Sequence, residues 1–206
     1  MAALVQQFSA WYLSVLGQGG YWLIAGLMAL ESTFVPIPSE VIIPPAAYLA
    51  HTQGQFSLAG IVLAGTAGSW MGAAFMYWAA RALGRPFVIR FGPYVGLSIA
   101  KIELAEHWLA RYGSAGVFLS RLLPVIRHLI GIPVGILKLD FRRYALATLL
   151  GALLWCSVLA WLGETIGQHP ELLAGSLHRF FALVLGMAAI LAALYYFFVQ
   201  RPGARL

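Results

Sequence analysis

The chain has 206 residues, 61% of them hydrophobic and 10% charged, whereas a soluble globular domain carries roughly a quarter charged residues. So few charges cannot clothe a water-facing surface, which excludes a soluble domain and makes lipid the main solvent. The formal charge of +6 fits cytoplasmic loops rich in Lys and Arg rather than a nucleic-acid surface, so no nucleic-acid partner is expected.

In lipid every backbone N–H and C=O must be bonded within the chain, which leaves helices or a closed barrel. Barrel strands alternate polar and apolar residues, and this chain has continuous apolar runs instead. The expected class is an all-α polytopic membrane protein, one membrane domain over residues 1–206. At the N-terminus, residues 3–17 form a short uncharged interfacial helix whose side of the membrane stays open. This start has no positive side chain, so it reads as retained rather than as a signal peptide.

Residues 20–52 are apolar but contain Pro36, Pro38, Pro44, Pro45, Glu31 and Glu40. Proline removes a backbone donor and clashes with the preceding turn, so a straight span is disfavoured and a broken helix turning back within the membrane is expected. Irregular backbone at that depth is tolerated where protein covers it or water reaches it. Residues 57–80 carry no charge and form an ordinary span. Gly60, Ala64, Gly68 and Gly72 recur on it every fourth residue, a small-residue stripe that permits close helix approach. It reads first as a packing face, and it also permits a homodimer.

Residues 81–113 hold Arg81, Arg85, Arg90, Lys101 and Arg111 against Glu103 and Glu106. Within them, 86–112 reads as an amphipathic cytoplasmic segment, with the two glutamates as solvated charges. Residues 114–137 repeat the earlier anomaly: they are apolar, yet contain Pro124, Pro133, Gly131, Gly135, Arg121 and Arg127. Residues 144–162 and 180–200 are uncharged spans of ordinary length. The aromatic ends of the last one fit interface anchoring, and so do most tryptophans and tyrosines, with Trp70 and Trp78 placed to face a lipid tail. The single Cys156 excludes an internal disulfide. His51, His107, His169 and His178 lack metal-ligand spacing, so no metal and no cofactor is expected.

The positive-inside rule puts 81–113, the group Lys138, Arg142 and Arg143, and the C-terminus in the cytoplasm. Residues 163–178, with Glu164 and Glu171 and no Lys or Arg, lie outside. The two broken segments then enter from opposite sides, each followed by a Gly-containing span. The result is an inverted repeat of two re-entrant hairpins, of the kind that secondary transporters use, together with about three full transmembrane helices and interfacial helices. Breaks are expected at Pro36, Pro38, Pro124 and Pro133.

The first hairpin carries Glu31 and Glu40, the second Arg121 and Arg127. A charge at the bilayer centre costs about 2.5–3.5 kcal/mol on insertion scales, so four such charges require compensation. Hairpins meeting near the midplane would bring two acids to two guanidinium groups. Structural ion pairing alone is a poor stability device, because desolvation can exceed the Coulomb gain. Arginine presents a planar fork that binds phosphate and keeps its proton, so Arg121 and Arg127 suit an anionic headgroup. Buried carboxylates such as Glu31 and Glu40 can take up protons near neutral pH and balance the arginines. His128 can join a proton path or contact a phosphate, and a packed histidine fits it equally.

At these motifs, Glu31 followed by PxPSE over residues 36–40 and SRLLPVIRHLIGIPVGILKLDFRRY over residues 120–144, the chain resembles the DedA family, also called the VTT or SNARE-associated family. The resemblance covers about residues 15–165. It implies a re-entrant-hairpin protein of the bacterial cytoplasmic membrane that moves lipids. Undecaprenyl phosphate and phosphatidylethanolamine are suggested substrates, with a proton-motive-force link in some members. The family's important acids match Glu31 and Glu40, and its arginines match Arg121 and Arg127. Some members carry Asp where this chain has Glu40, at a longer spacing from the first acid. The expected function is a proton-coupled flippase for a phosphate-bearing lipid, undecaprenyl phosphate first. The alternatives are an energy-independent phosphatidylethanolamine scramblase and a non-transporting assembly factor. No nucleophile with an adjacent base recurs on the matched segments, so an enzyme is not expected.

Overall fold

The computed structural model describes residues 2–33, 38–91, 99–123, 127 and 130–168, the side chains of 2–10, 91 and 99–101 excepted. The expected span 180–200, together with Pro36, Pro124 and His128, lies outside the described residues. All regular structure among the described residues is helical: α1 (Ala2–Glu31), a 3-10 turn (Ser39–Val41), α2 (Ile43–Gln53), α3 (Leu58–Phe91), α4 (Ile99–Arg121), α5 (Gly131–Ile136) and α6 (Phe141–Gln168).

Among the described residues, three helices are long and apolar enough to cross a membrane: Trp11–Glu31, Leu58–Arg90 and Phe141–Gln168. The first covers the stretch read as an interfacial helix plus the first arm of a hairpin. It consists of two helical pieces joined at a kink, where Gly20 takes the non-helical φ of 61°. The outer faces of the three are apolar. Leu63, Leu146 and Trp161 are 64%, 61% and 63% exposed, a surface that water would not tolerate and lipid would. The chain is a multi-pass membrane protein.

Proline placement follows local geometry. Pro44 and Pro45 occupy the first turn of α2, where no N–H is needed. Pro38 is extended at φ −67°, ψ 131° just ahead of the 3-10 turn. Pro133, expected at a break, instead lies in the first turn of α5, and its carbonyl accepts the Leu137 N–H at 2.9 Å.

Helix α3 has 34 residues, more than the roughly 20 that cross a bilayer, and it bends at Gly84 (φ 73°). Helix α4 bends at Gly113 (φ 51°). Beyond the first bend, Arg85 Nη1 reaches both Glu106 carboxylate oxygens at 3.0 and 3.1 Å, and its Nη2 lies 3.8 Å from Glu103. Val88 and Ile102 share an apolar cluster with Met76, Ala80 and Ile132. The glutamates read as simply solvated are therefore tied to α3, although exposed pairs of this kind contribute only about 0.2–1 kcal/mol. A Cβ on Gly113 would meet nothing within 4 Å, so only its positive φ resists a side chain. Gly113→Ala is expected to lower stability in detergent by about 1–3 kcal/mol, read from thermal unfolding. An unchanged melting temperature would mean the bend does not need that backbone conformation.

Helix packing is orderly. α1 lies on α3, α4 on α6, α2 on α6, α5 on α3, and α3 and α6 pack on each other; α1 also touches α2, and α4 touches α5. The small-residue stripe accounts for the first contact. A Cβ on Gly68 or Gly72 would stand 2.1 Å from the carbonyl oxygens of Ala25 or Ala29, and one on Gly60 would meet the Tyr21 ring at 2.6 Å. The stripe is covered by α1 of the same chain. Gly163 makes the matching approach of α6 to α2, where a Cβ would lie 2.4 Å from the Pro44 oxygen.

Candidate functional site

Glu31 is the last residue of α1, and Ser39 and Glu40 form the turn that leads back into α2. Arg127 lies between α4 and α5, and Arg121 is the last residue of α4. Each side chain thus stands where a helix stops and its backbone can turn. Glu31, Arg121, Arg127 and Ser39 are 1%, 3%, 6% and 0% exposed, so all four are out of solvent contact.

Arg127 and Glu31 form a buried ion pair, Nη2 donating to Oε1. The same Nη2 donates to Ser39 Oγ at 2.8 Å, and it lies 3.9 Å from Glu40 Oε2. Ser39 ties the group together. Its backbone N–H donates to Glu31 Oε1 at 3.2 Å, and its Oγ accepts from Trp155 Nε1 at 3.1 Å. The Arg127 guanidinium carbon lies 5.2 Å from the Trp155 ring centroid, a cation–π distance. The two acids and Arg127 are therefore gathered as the charge pattern predicted.

Arg121 stands apart. Its Nη2 donates to the Tyr144 hydroxyl at 3.0 Å, and that hydroxyl donates to the Ala73 carbonyl at 3.1 Å. Among the described residues no carboxylate lies within 4 Å of Arg121. The Nε atoms of Arg121 and Arg127 are buried with no hydrogen-bond partner among the described residues. Orphaned charged donors in a dry interior are rare and costly, and they suit an anion that comes and goes.

Sequence reading missed Ser39, Trp155 and Tyr144. Ser39 sits inside the quoted PxPSE motif, so its position was visible but not its task. Trp155 is 7% exposed and Tyr144 2%, so neither anchors an interface. Of the pair assigned to a lipid tail, Trp78 is 51% exposed.

The family model for the VTT domain matches residues 37–165. The chain belongs to the VTT-domain, or DedA, family. It is 29% identical to undecaprenyl phosphate transporter A of Bacillus subtilis over 98% of both chains. It is 28% identical to the Staphylococcus aureus protein of that name, over 90% of this chain and 92% of the other. A Lactococcus lactis relative called alkaline phosphatase-like protein is 35% identical over 89% of each. No solved structure matches the chain. In this VTT-domain chain Glu31 precedes the matched stretch, so the buried pair joins a residue outside it to Arg127 within it.

Proposed function

We propose that this protein is a flippase that carries a phosphate-bearing lipid, undecaprenyl phosphate first, across the bacterial cytoplasmic membrane together with protons. The observation that carries this reading is the buried Glu31–Arg127 pair together with Arg121, a second buried guanidinium with no carboxylate within 4 Å among the described residues. The relatives named undecaprenyl phosphate transporter A support the substrate.

Charge balance supports the protons. Glu31, Glu40, Arg121 and Arg127 sum to zero when all are ionised. A phosphate monoester brings about −1.5 to −2 at pH 7, and an uncompensated charge in a low-dielectric interior is costly. Protonation of Glu40 and Glu31 as the headgroup binds restores neutrality, so lipid and protons bind and leave together. Arg127 rests on Glu31, Glu40 and Ser39, and on binding the phosphate replaces the carboxylates as its partner.

The alternating exposure this needs would come from an inverted repeat of re-entrant hairpins within one membrane domain. Exchange of α1, α2 and α3 with α4, α5 and α6 maps the main contacts onto one another: α1 on α3 becomes α4 on α6, and α2 on α6 becomes α5 on α3. Glu31 then corresponds to Arg121, each the last residue of its helix. The charge distribution favours a cytoplasmic C-terminus. A homodimer is not part of this reading, because α1 already covers the stripe that permitted one. Nor is hydrolysis: Ser39 Oγ accepts from both Arg127 and Trp155, which occupies both lone pairs of a would-be nucleophile.

The test is flux of labelled undecaprenyl phosphate in liposomes with and without a pH gradient. Wild type should move it faster down an imposed proton gradient, and Glu40→Gln should lose that acceleration. Gradient-independent movement of phosphatidylethanolamine at an equal rate would favour a scramblase and defeat the reading.

A further inference from the structure

A second arginine stands on a tyrosine hydroxyl some way from the Glu31–Arg127 pair. Arg81, half-buried on α3, donates from Nη1 to the Tyr77 hydroxyl at 2.7 Å, and that hydroxyl donates to the Leu139 carbonyl at 2.6 Å. Its guanidinium carbon lies 5.9 Å from the Tyr77 centroid and 5.6 Å from that of Trp78. Among the described residues no carboxylate lies within 4 Å of it. Guanidinium has five N–H donors, and only the one to Tyr77 is engaged there. The Tyr77 ring stacks on Tyr144 at 5.3 Å and 22°, and Tyr144 holds Arg121. A column thus runs from Arg81 through two stacked rings to the buried Arg121. The Tyr77–Leu139 bond also brings the turn between α5 and α6, with exposed Lys138, and the start of α6, with exposed Arg142, to this end of α3. Asp140 in that turn is engaged at the start of α6, accepting the Arg143 N–H at 2.9 Å.

We propose that Arg81 and Trp78 form an outer docking station for the phosphate monoester of a prenyl lipid, which then passes to Arg121. The inference rests on the reading that this chain carries such a lipid. Positive charge without a facing acid selects the anion, and the exposed Trp78 ring beside it takes the first isoprene units. An arginine that only snorkels to the interface would show no preference for phosphate.

The test uses the full-length protein in detergent and three probes: farnesyl phosphate, farnesol and inorganic phosphate. Wild type should bind farnesyl phosphate, and Arg81→Gln should weaken it about tenfold, the loss of one charge-assisted contact. Farnesol binding should be weak and unchanged. A diazirine-bearing farnesyl phosphate should label α3 around residue 78 even in Arg121→Gln, and cease to do so in Arg81→Gln. Arg81→Lys, which keeps the charge without the fork, should fall between. Equal labelling in wild type and Arg81→Gln overturns the station, and so does competition by inorganic phosphate as strong as by farnesyl phosphate. Labelling that depends on Arg81 in a protein that moves no lipid in liposomes would retain the station and reject the transport reading.

Discussion

Arg127→Ala is expected to stop lipid transport and to destabilise the protein by about 3–5 kcal/mol, the usual result of removing one partner from a buried ion pair. The substitution takes the guanidinium partner from Glu31, a carboxylate 1% exposed that also accepts the Ser39 N–H. It also removes one of the two donors to Ser39 Oγ and the cation from the face of Trp155. Two effects are then mixed, loss of the phosphate-binding fork and loss of fold. A double variant separates them. Glu31→Gln with Arg127→Met removes both charges of the pair and leaves neither ion buried without the other, a change that is often neutral for stability. Its melting temperature in detergent should recover most of the loss, while flux of labelled undecaprenyl phosphate should stay at background. Transport by the double variant at the wild-type rate would show that the pair only holds the helices together.

The sequence showed that charges would be buried and which ones, because a charge in an apolar run is conspicuous wherever lipid is the solvent. It did not show their partners. Arg127 meets Glu31 across 96 positions, and Trp155 meets Ser39 across 116, separations that no local periodicity encodes. Arg121 was expected to face an acid and instead faces Tyr144. An aromatic near the start of a span looks the same in sequence whether it anchors an interface or orients a guanidinium. The bounds 3–17 and 20–52 have a local counterpart: α1 joins two helical pieces across a kink at Gly20, whose φ of 61° lies outside the helical range. The second piece ends at Glu31 and is seated on α3 through Ala25 and Ala29.

That seating leads to the second large effect. Gly72→Val should cost about 1–3 kcal/mol or more, as overpacked interiors do, and should also abolish transport. A Cβ there would lie 2.1 Å from the Ala29 carbonyl oxygen and 2.9 Å from Ser32 Cβ. The first obstacle is backbone, so no rotamer change relieves it, and the end of α1 must move away from α3. Ser32, whose hydroxyl is 2.8 Å from that of Ser69, would move with it, and so would Glu31 next in the chain. Arg127 comes from the other half of the molecule and would not follow. Gly26→Ala, on α1 itself, provides the contrast. Gly26 is exposed, and a Cβ there meets nothing within 4 Å. Alanine favours the helix by about 1 kcal/mol over glycine, so stability and flux should be kept or improved. Thermal unfolding and liposome flux on the two variants test whether backbone contact between α1 and α3 sets the position of Glu31. If Gly72→Val transports normally, the carboxylate reaches Arg127 without that contact, and the small-residue stripe serves packing alone.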